Sequence, residues 1–441
     1  MRLLYLSCYR RILAGKCAKN AQILTEHTEM GCMSKRTSLK LVEDQQDTPG
    51  GYKRFVGELW TAQQRQMHSL HYVVSYRASF KPELPDFCIK RYSEKGGVVL
   101  DPFCGRGTTA LQTNLLGRVS LGCDVNPLAV RLAQAKTEPV GLDEIVLRLN
   151  EIDFRRPVDL SGYQEKFAPF YHADTYRELI NLRNFTKENP DRINRFIDLI
   201  AISRLHGHSP GFFSVYSFPQ ISVPPQNQRM INIKRGQVPE YRAVAPRIIK
   251  KAAHALRDGF TSDYFSVSSA NAFKVSDARR LDWISSNSVD LVVTSPPFLD
   301  KVDYITDNWL ENWYCGLNVK SFKDNLVMCS GLEQWRSFMS GVLKELLRVI
   351  KEGGFAVIEV GEVEKNGQTI FLDEVVAEEA LKVNNDSKRF IVEEVLVNQQ
   401  QFTKLANCFN VDNNSKGTNT NRLVVLKSVK KRTRKRKTAI K

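Results

Sequence analysis

Seven short apolar runs punctuate the chain, at Val98–Asp101, Val119–Asp124, Ala272–Ser276, Val289–Thr294, Phe355–Val360, Phe390–Val397 and Leu423–Lys427. Their lengths and their content of Val, Leu, Ile and Phe predict strands. Helical stretches lie between them: Thr108–Leu116 after the first, Pro127–Lys136 after the second, and Phe371–Val383 before the sixth. Gln334–Ile350 separates the fourth and fifth, and its Leu343, Leu346, Leu347 and Ile350 recur at helical spacing. Strands alternating with helices imply an α/β fold, a mostly parallel sheet covered on both faces.

The alternation breaks once, between Thr137 and Ala270. That interval carries helical patterns at Tyr176–Arg183 and Ile193–Ser203 and a Gly-, Pro- and aromatic-rich loop, HGHSPGFFSVYSFPQ. Its later part is basic, with Arg229, Lys234, Arg235, Arg242, Arg247, Lys250 and Lys251. Five segments result: a flexible leader over 1–45, the first part of the main α/β domain over 46–136, an inserted recognition region over 137–270, the second part of the main domain over 271–428, and a basic, disordered tail over 429–441. Met30 or Met33 is an alternative start.

Composition narrows the class. At 441 residues the chain can bury a sizeable core, and no run of about 18 apolar residues is available to span a membrane. The opening MRLLYLSCYRRI is interrupted by Arg10 and Arg11 and lacks a small-residue cleavage site, which argues against a signal peptide. Nine scattered cysteines without a CxxC pair argue against a disulfide framework or a zinc site, and for a reducing compartment. His206 and His208 are the closest histidine pair, but no ligand set surrounds them, so no metal is expected. The formal charge of +16 stays positive without the Lys430–Lys437 block, which favours a polyanionic partner.

Three motifs carry chemistry. In Val98–Thr109, VVLDPFCGRGTT, an apolar strand ends in Asp101, a turn holds two glycines, and a helix begins. Glycines there let a ligand lie against the backbone, and the helix start offers free N–H groups. In LGCDVNP the next strand ends in Asp124, positioned for the ribose hydroxyls of a bound nucleoside. Asp277, in VSDAR, ends the following strand and is placed either to meet an adenine amine or to stand as a solvated loop acid. In DLVVTSPPF a buried strand ends in Ser295, Pro296, Pro297 and Phe298. Paired prolines stiffen the loop and leave the carbonyl of Ser295 or Pro296 outside any ladder. The amine of a nucleobase is a poor nucleophile because its lone pair is delocalised into the ring. The Ser295 hydroxyl and a loop carbonyl could hold its protons and turn the lone pair outward, with Phe298 stacked on a base flipped from the duplex.

Together, DPFCGRGTT and TSPPF resemble the amino-group DNA methyltransferases, which modify cytosine N4 or adenine N6. The resemblance implies a doubly wound, seven-stranded, Rossmann-like fold with its seventh strand antiparallel, and S-adenosyl-L-methionine as cofactor. Asp101, Phe103, Gly105 and Gly107 would line the methionine portion, Asp124 the ribose and Asp277 the adenine; Ser295, Pro296, Pro297 and Phe298 would form the catalytic loop. His68–Pro85 is similar to the stretch packed beside the cofactor in members without circular permutation, and Thr418–Leu426 to their closing strand. Serine at the first catalytic position points to cytosine N4, and the implied partner is double-stranded DNA in the cytoplasm, at the nucleoid. Whether a cognate restriction endonuclease accompanies it, and the oligomeric state, are left open.

Other readings stand beside this one. Cytosine C5 chemistry needs a nucleophilic Cys in the proline loop, where this chain has Phe298; Cys104 sits in the cofactor turn as a small buried residue. Adenine N6 methylation, RNA guanine-N2 methylation and an inactive DNA-binding subunit remain as alternatives. Phe212, Phe213, Tyr216 and Phe218, beside basic residues, are placed either to stack on DNA or to form core.

Overall fold

The computed structural model describes residues 40–41, 51–60, 66–77, 79–219, 221–297, 303–323, 326, 329, 331–365, 368–399 and 420–431. The chain enters through strands β1 (Lys40–Leu41) and β2 (Lys53–Gly57) and helix α1 (Glu83–Tyr92). Strand β3 (Val98–Asp101), helix α2 (Thr108–Leu115), strand β4 (Val119–Asp124) and helix α3 (Pro127–Thr137) follow. The interval up to residue 270 is helical, with α4 (Leu142–Asn150), α5 (Ala173–Glu188), α6 (Arg192–Ile202), α7 (Pro225–Arg235), α8 (Val244–Ala255) and α9 (Ser262–Ser268). Then come β5 (Ala272–Val275), β6 (Val289–Thr294), α10 (Trp309–Tyr314), α11 (Leu332–Val349) and β7 (Ile350–Val360). A small hairpin of β8 (Glu362–Lys365) and β9 (Gln368–Phe371) precedes α12 (Leu372–Lys382), β10 (Lys388–Gln399) and β11 (Thr420–Lys430).

Among the described residues nine strands form one sheet, in the order β1-β2-β10-β11-β7-β6-β3-β4-β5. The seven strands expected from the apolar runs are all present within it. The block β7-β6-β3-β4-β5 is parallel, and β11 runs antiparallel to both β7 and β10. The antiparallel seventh strand is thus in place. The count of seven needs correction: β2 extends the sheet by pairing in parallel with β10, and β1 pairs with β2 beyond it.

The apolar runs read as strands because both faces of the sheet are covered, and successive residues enter different cores. Leu100, Val292, Ala356, Ile358, Val424 and Leu426 pack on one side with Leu343, Leu346 and Leu347 of α11 and Val376 of α12. Their neighbours Val99, Leu291, Val293, Val357, Leu423 and Val425 pack on the other with Leu84, Cys88 and Ile89 of α1. A third cluster fills the inserted helices, with Phe170, Tyr171, Phe196, Ile200, Phe213 and Ile248. It also takes in Leu111 of α2 and Leu128 and Leu132 of α3, so the insertion shares its core with helices that flank the sheet.

From β3 the sheet grows outward through β4 and β5, and the chain then returns to β6 on the opposite side of β3. The carboxyl ends of β3 and β6 therefore flank a point of reversal, where open α/β sheets bind ligands.

Candidate functional site

A cleft of about 1260 Å3 opens at this point of reversal. It is lined by Asp101, Phe103 and Gly105 from the first motif, Asp124 from the second, Asp277, and Ser295, Pro296 and Pro297 from the proline loop. Residues from both halves of the sequence thus meet in one site. Phe298 lies outside the described residues.

Gly107 does not line this cleft. Its φ of 75° is left-handed, and a Cβ there would stand 2.6 Å from the Cα and 2.9 Å from the Cβ of Ala133. Its glycine is required because α2 starts against α3. Of the four residues expected along the methionine portion, Asp101, Phe103 and Gly105 line the cleft and Gly107 stands behind it. Gly105 also has a positive φ, of 46°, but its missing side chain faces the cleft, with the Tyr76 ring 3.8 Å away.

Asp101 ends β3 buried, and its Oδ1 accepts from the Phe103 N–H at 3.1 Å and the Thr294 hydroxyl at 2.6 Å. Burial pushes the carboxyl up to about 6, against those hydrogen bonds. Asp124 accepts from the N–H groups of Gly105 at 3.1 Å and Asn126 at 2.9 Å. Enclosure within the cleft pushes it, too, up to about 6. Neither carboxylate has a cation within ion-pair distance among the described residues.

Asp277 differs. Burial opposes its ionisation, yet the Arg279 guanidinium, reaching both oxygens at 2.6–3.0 Å, and the Arg279 N–H hold the carboxyl below its ordinary value. Arg279 also lies over the Phe338 ring, 5.5 Å from its centroid, and Phe338 packs on Phe103 with centroids 5.8 Å apart. The acid, the arginine and the two rings make a slot with a flat apolar wall and a polar edge.

The proline loop is anchored at its far end. Trp335, fully buried on α11, donates its indole N–H to the Pro297 carbonyl at 3.0 Å. At its near end Thr294 holds Asp101, and the Thr109 hydroxyl of α2 donates to the Val293 carbonyl at 3.2 Å. The Ser295 hydroxyl and the carbonyls of Ser295 and Pro296 have no hydrogen-bond partner among the described residues.

The sequence reading missed several of these residues. Tyr76 stacks on Tyr304 (centroids 5.6 Å) and its hydroxyl accepts from Asn126 at 3.1 Å, so it walls the cleft beside Asp124. Tyr76, Arg77, Ser79 and Phe80 place the His68–Pro85 segment at the cleft. Thr294 stands one residue before the Ser-Pro-Pro motif and could have been suspected from that spacing; Trp335 and Phe338 carry no local signal.

In the insertion, Phe213 is core, whereas Phe212 and Tyr216 are half-buried under the guanidinium groups of Arg204 and Arg235, at 3.9 and 3.8 Å. Arg242 is buried, donating to the carbonyls of Ser209, Phe212 and Ser214 and pairing with Glu240. It braces the loop from within and is not part of a basic surface. His206 binds Glu311 at 2.8 Å, and no cluster of metal-ligand type occurs among the described residues. Burial holds the Cys104 thiol well above its ordinary value, as befits a packed residue rather than a nucleophile. Among the described residues no helix is long and apolar enough to cross a membrane.

The model of a protein family described as DNA methylase matches residues 19–135 and 289–440, leaving out 136–288 between them. The Type II methyltransferase M.BsoBI of Geobacillus stearothermophilus is 22% identical over 294 residues, which cover 61% of this chain and 57% of that protein. The Type II methyltransferase M.MjaII of Methanocaldococcus jannaschii is 30% identical over 88 residues, 20% of this chain and 16% of that one. This chain therefore spans little more than half the length of the first relative and a small part of the second. A putative DNA modification methylase from Thermus thermophilus, solved in complex with S-adenosyl-L-methionine, is 21% identical, with a TM-score of 0.21, over 36% of this chain and 55% of that one.

Proposed function

This chain belongs to the N6/N4 DNA methylase family, and on that premise we propose that it methylates the exocyclic amine of a flipped base in double-stranded DNA, with cytosine N4 the target. The observation that carries the reading is the meeting of two features in one cleft: the carboxylates of Asp101 and Asp124, unpaired with any cation among the described residues, and a Ser-Pro-Pro loop with free acceptors.

The cofactor is S-adenosyl-L-methionine, and the residues present fit it. Two enclosed carboxylates with no cation beside them suit a molecule that brings hydroxyls and positive charge. Asp124 and the Gly105 turn would hold the ribose, Asp101 and Phe103 the methionine portion, and Asp277 with Phe338 the adenine. Gly107 supports this pocket from behind by allowing α2 to start against α3. When bound, the cofactor supplies a methyl group made electrophilic by its sulfonium.

The chain's own residues position and orient. The Pro297 carbonyl is committed to Trp335, which leaves the Ser295 hydroxyl and the Ser295 or Pro296 carbonyl to accept the two amine protons. Held so, the amine nitrogen turns its lone pair out of the ring plane and toward the methyl group. Phe298 completes the loop as the stacking face for the base. Thr294, bonded to Asp101, ties the cofactor loop to this loop in one rigid unit. Serine at position 295 supports cytosine over adenine. The inserted region over 137–270 is the DNA-recognition region in this account, and the Type II relatives support site-specific modification, with a cognate endonuclease as a further partner.

The test is nucleoside mass spectrometry of duplex DNA incubated with the protein and cofactor. N4-methylcytosine is expected. N6-methyladenine would overturn the serine argument while keeping the reaction class, and methylation of RNA alone would overturn the substrate.

A further inference from the structure

We propose that α7 reads the base edges of the target duplex in its major groove, presenting Gln226, Asn227, Met230, Ile233 and Lys234. The proposal rests on the DNA reading above and names the surface that performs it.

A surface helix ordinarily buries its apolar stripe and shows its polar one. Helix α7 is turned the other way. Gln228 is fully buried, its amide donating to the Tyr216 carbonyl at 2.9 Å and to Asn232 Oδ1 at 2.8 Å. One turn on, the Asn232 amide donates to the Pro169 carbonyl at 2.7 Å, and Arg229 donates to the carbonyls of Gln164 and Glu165 at 3.0 and 2.9 Å. Polar side chains thus clamp the helix to the insertion. Outward it shows Met230 at 65% and Ile233 at 74% exposure, and Val238, just beyond the helix, at 82%. Val238 and Ile233 are the most exposed large hydrophobic residues among those described.

An outward apolar pair needs an occupant, and charge identifies it. From Pro224 to Pro239 the chain carries Arg229, Lys234 and Arg235 and no acidic residue. A basic, acid-free helix suits a polyanion. The outward residues are also of the types that discriminate bases: Gln and Asn bond adenine edges, Lys bonds guanine, and aliphatic groups meet the thymine methyl. At 11 residues the helix is about 16 Å long, a size that a major groove admits.

Its placement joins reading to chemistry. The Ser222 N–H donates to the Asp307 carbonyl at 2.8 Å, and the Trp309 indole donates to the Val223 carbonyl at 2.9 Å. Asp303, Tyr304, Ile305 and Thr306, immediately before these partners, line the cleft. Helix α7 starts at Pro225, two residues past Val223, a reach of about 7 Å at most. A duplex gripped by α7 would lie at the rim of the cleft that receives the extruded base.

The test uses the full-length protein and a pool of random-sequence DNA duplexes, methylated to low extent and sequenced by a modification-sensitive method, with cofactor affinity and duplex Kd measured alongside. The wild type should define a recognition motif. Asn227→Ala should relax that motif at one position, and Ile233→Glu should raise the Kd for the motif duplex by about tenfold or more. Lys234→Ala should relax the motif at a further position, one occupied by guanine. All three substitutions are at exposed positions, and cofactor affinity should not change. An unchanged motif and Kd in the variants, with wild-type DNA methylation intact, would overturn the role of α7 while leaving the enzymatic reading in place. Weakened binding to structured RNA only, or a changed sedimentation coefficient with unchanged DNA affinity, would overturn it as well. No DNA methylation by the wild type would remove both readings together.

Discussion

Replacing each motif glycine by alanine separates packing from ligand contact. At Gly107 the new methyl must enter space held by the Ala133 backbone, 2.6 Å away, on a residue with φ of 75°. Left-handed backbone costs about 1–2 kcal/mol for a residue with a Cβ, and overpacking against a helix adds about 1–3 kcal/mol. A loss of roughly 2–5 kcal/mol is expected, a large part of the stability of an ordinary domain. With an unfolding entropy of about 2 cal/mol/K per residue, a body of this size shifts its Tm by about 1 °C per kcal/mol, so the drop should be about 2–5 °C. At Gly105 only the backbone strain applies, because the methyl would meet Tyr76 at an ordinary 3.8 Å and point into the cleft. Gly105→Ala should therefore cost about 1–2 °C but weaken cofactor binding clearly. Calorimetric melting with and without S-adenosylmethionine, and titration calorimetry for its Kd, read both effects. Equal melting losses, or a larger loss of cofactor affinity per degree at Gly107 than at Gly105, would refute the division of roles.

Three further outcomes follow from the site. Asp101 and Asp124, near 3.8 when unfolded, are pushed by burial to about 6 in the ligand-free fold, so they favour the empty protein below about pH 4, and that contribution is lost as pH rises through about 6. Cofactor that donates to the ionised carboxylates should accordingly bind more tightly at pH 7 than at pH 5, and Asp124→Asn should flatten that dependence, as titrations across pH would show. Thr294→Val removes a 2.6 Å hydrogen bond that favours the Asp101 anion; cofactor binding should weaken by about 1.5–3 kcal/mol near pH 6 and less above it, and an unchanged pH profile would count against the link. Trp335→Phe leaves the Pro297 carbonyl without its indole donor and should lower kcat more than cofactor affinity, with a stability cost of about 1–2 kcal/mol; equal effects on both would remove the loop-anchoring role.

The central strands were legible because both faces of the sheet are buried, which concentrates apolar residues into runs. Strand β2 was not: KRFVG is half-exposed, and its partner register, Lys53 against Glu394, joins residues more than 300 positions apart. Helix α1 was missed for a related reason, since ELPDFCIKRY buries only Leu84, Pro85, Cys88 and Ile89. In the site, Asp101, Asp124 and Ser295 stand at the ends of strands and could be read from local sequence. Thr294 aside, what holds them could not, because Trp335 with Pro297 and Tyr76 with Asn126 are contacts between distant elements. The packing role of Gly107 was not legible, because the glycine pattern looks the same whether a ligand or a neighbouring helix needs the space. The outward face of α7 was invisible for the converse reason: Met230, Ile231 and Ile233 look like an ordinary buried stripe until Gln228 and Asn232 are seen to take the inner positions.

The most direct measurement is transfer of labelled methyl from S-adenosylmethionine to duplex DNA by wild-type protein and by Ser295→Ala, with cofactor Kd determined for both. The account predicts labelled DNA with the wild type, and a variant whose kcat falls by about 10²-fold or more while its cofactor Kd stays within about twofold. Full transfer by Ser295→Ala, or equal loss of transfer and cofactor binding, would contradict the claim that the Ser-Pro-Pro loop holds the target amine.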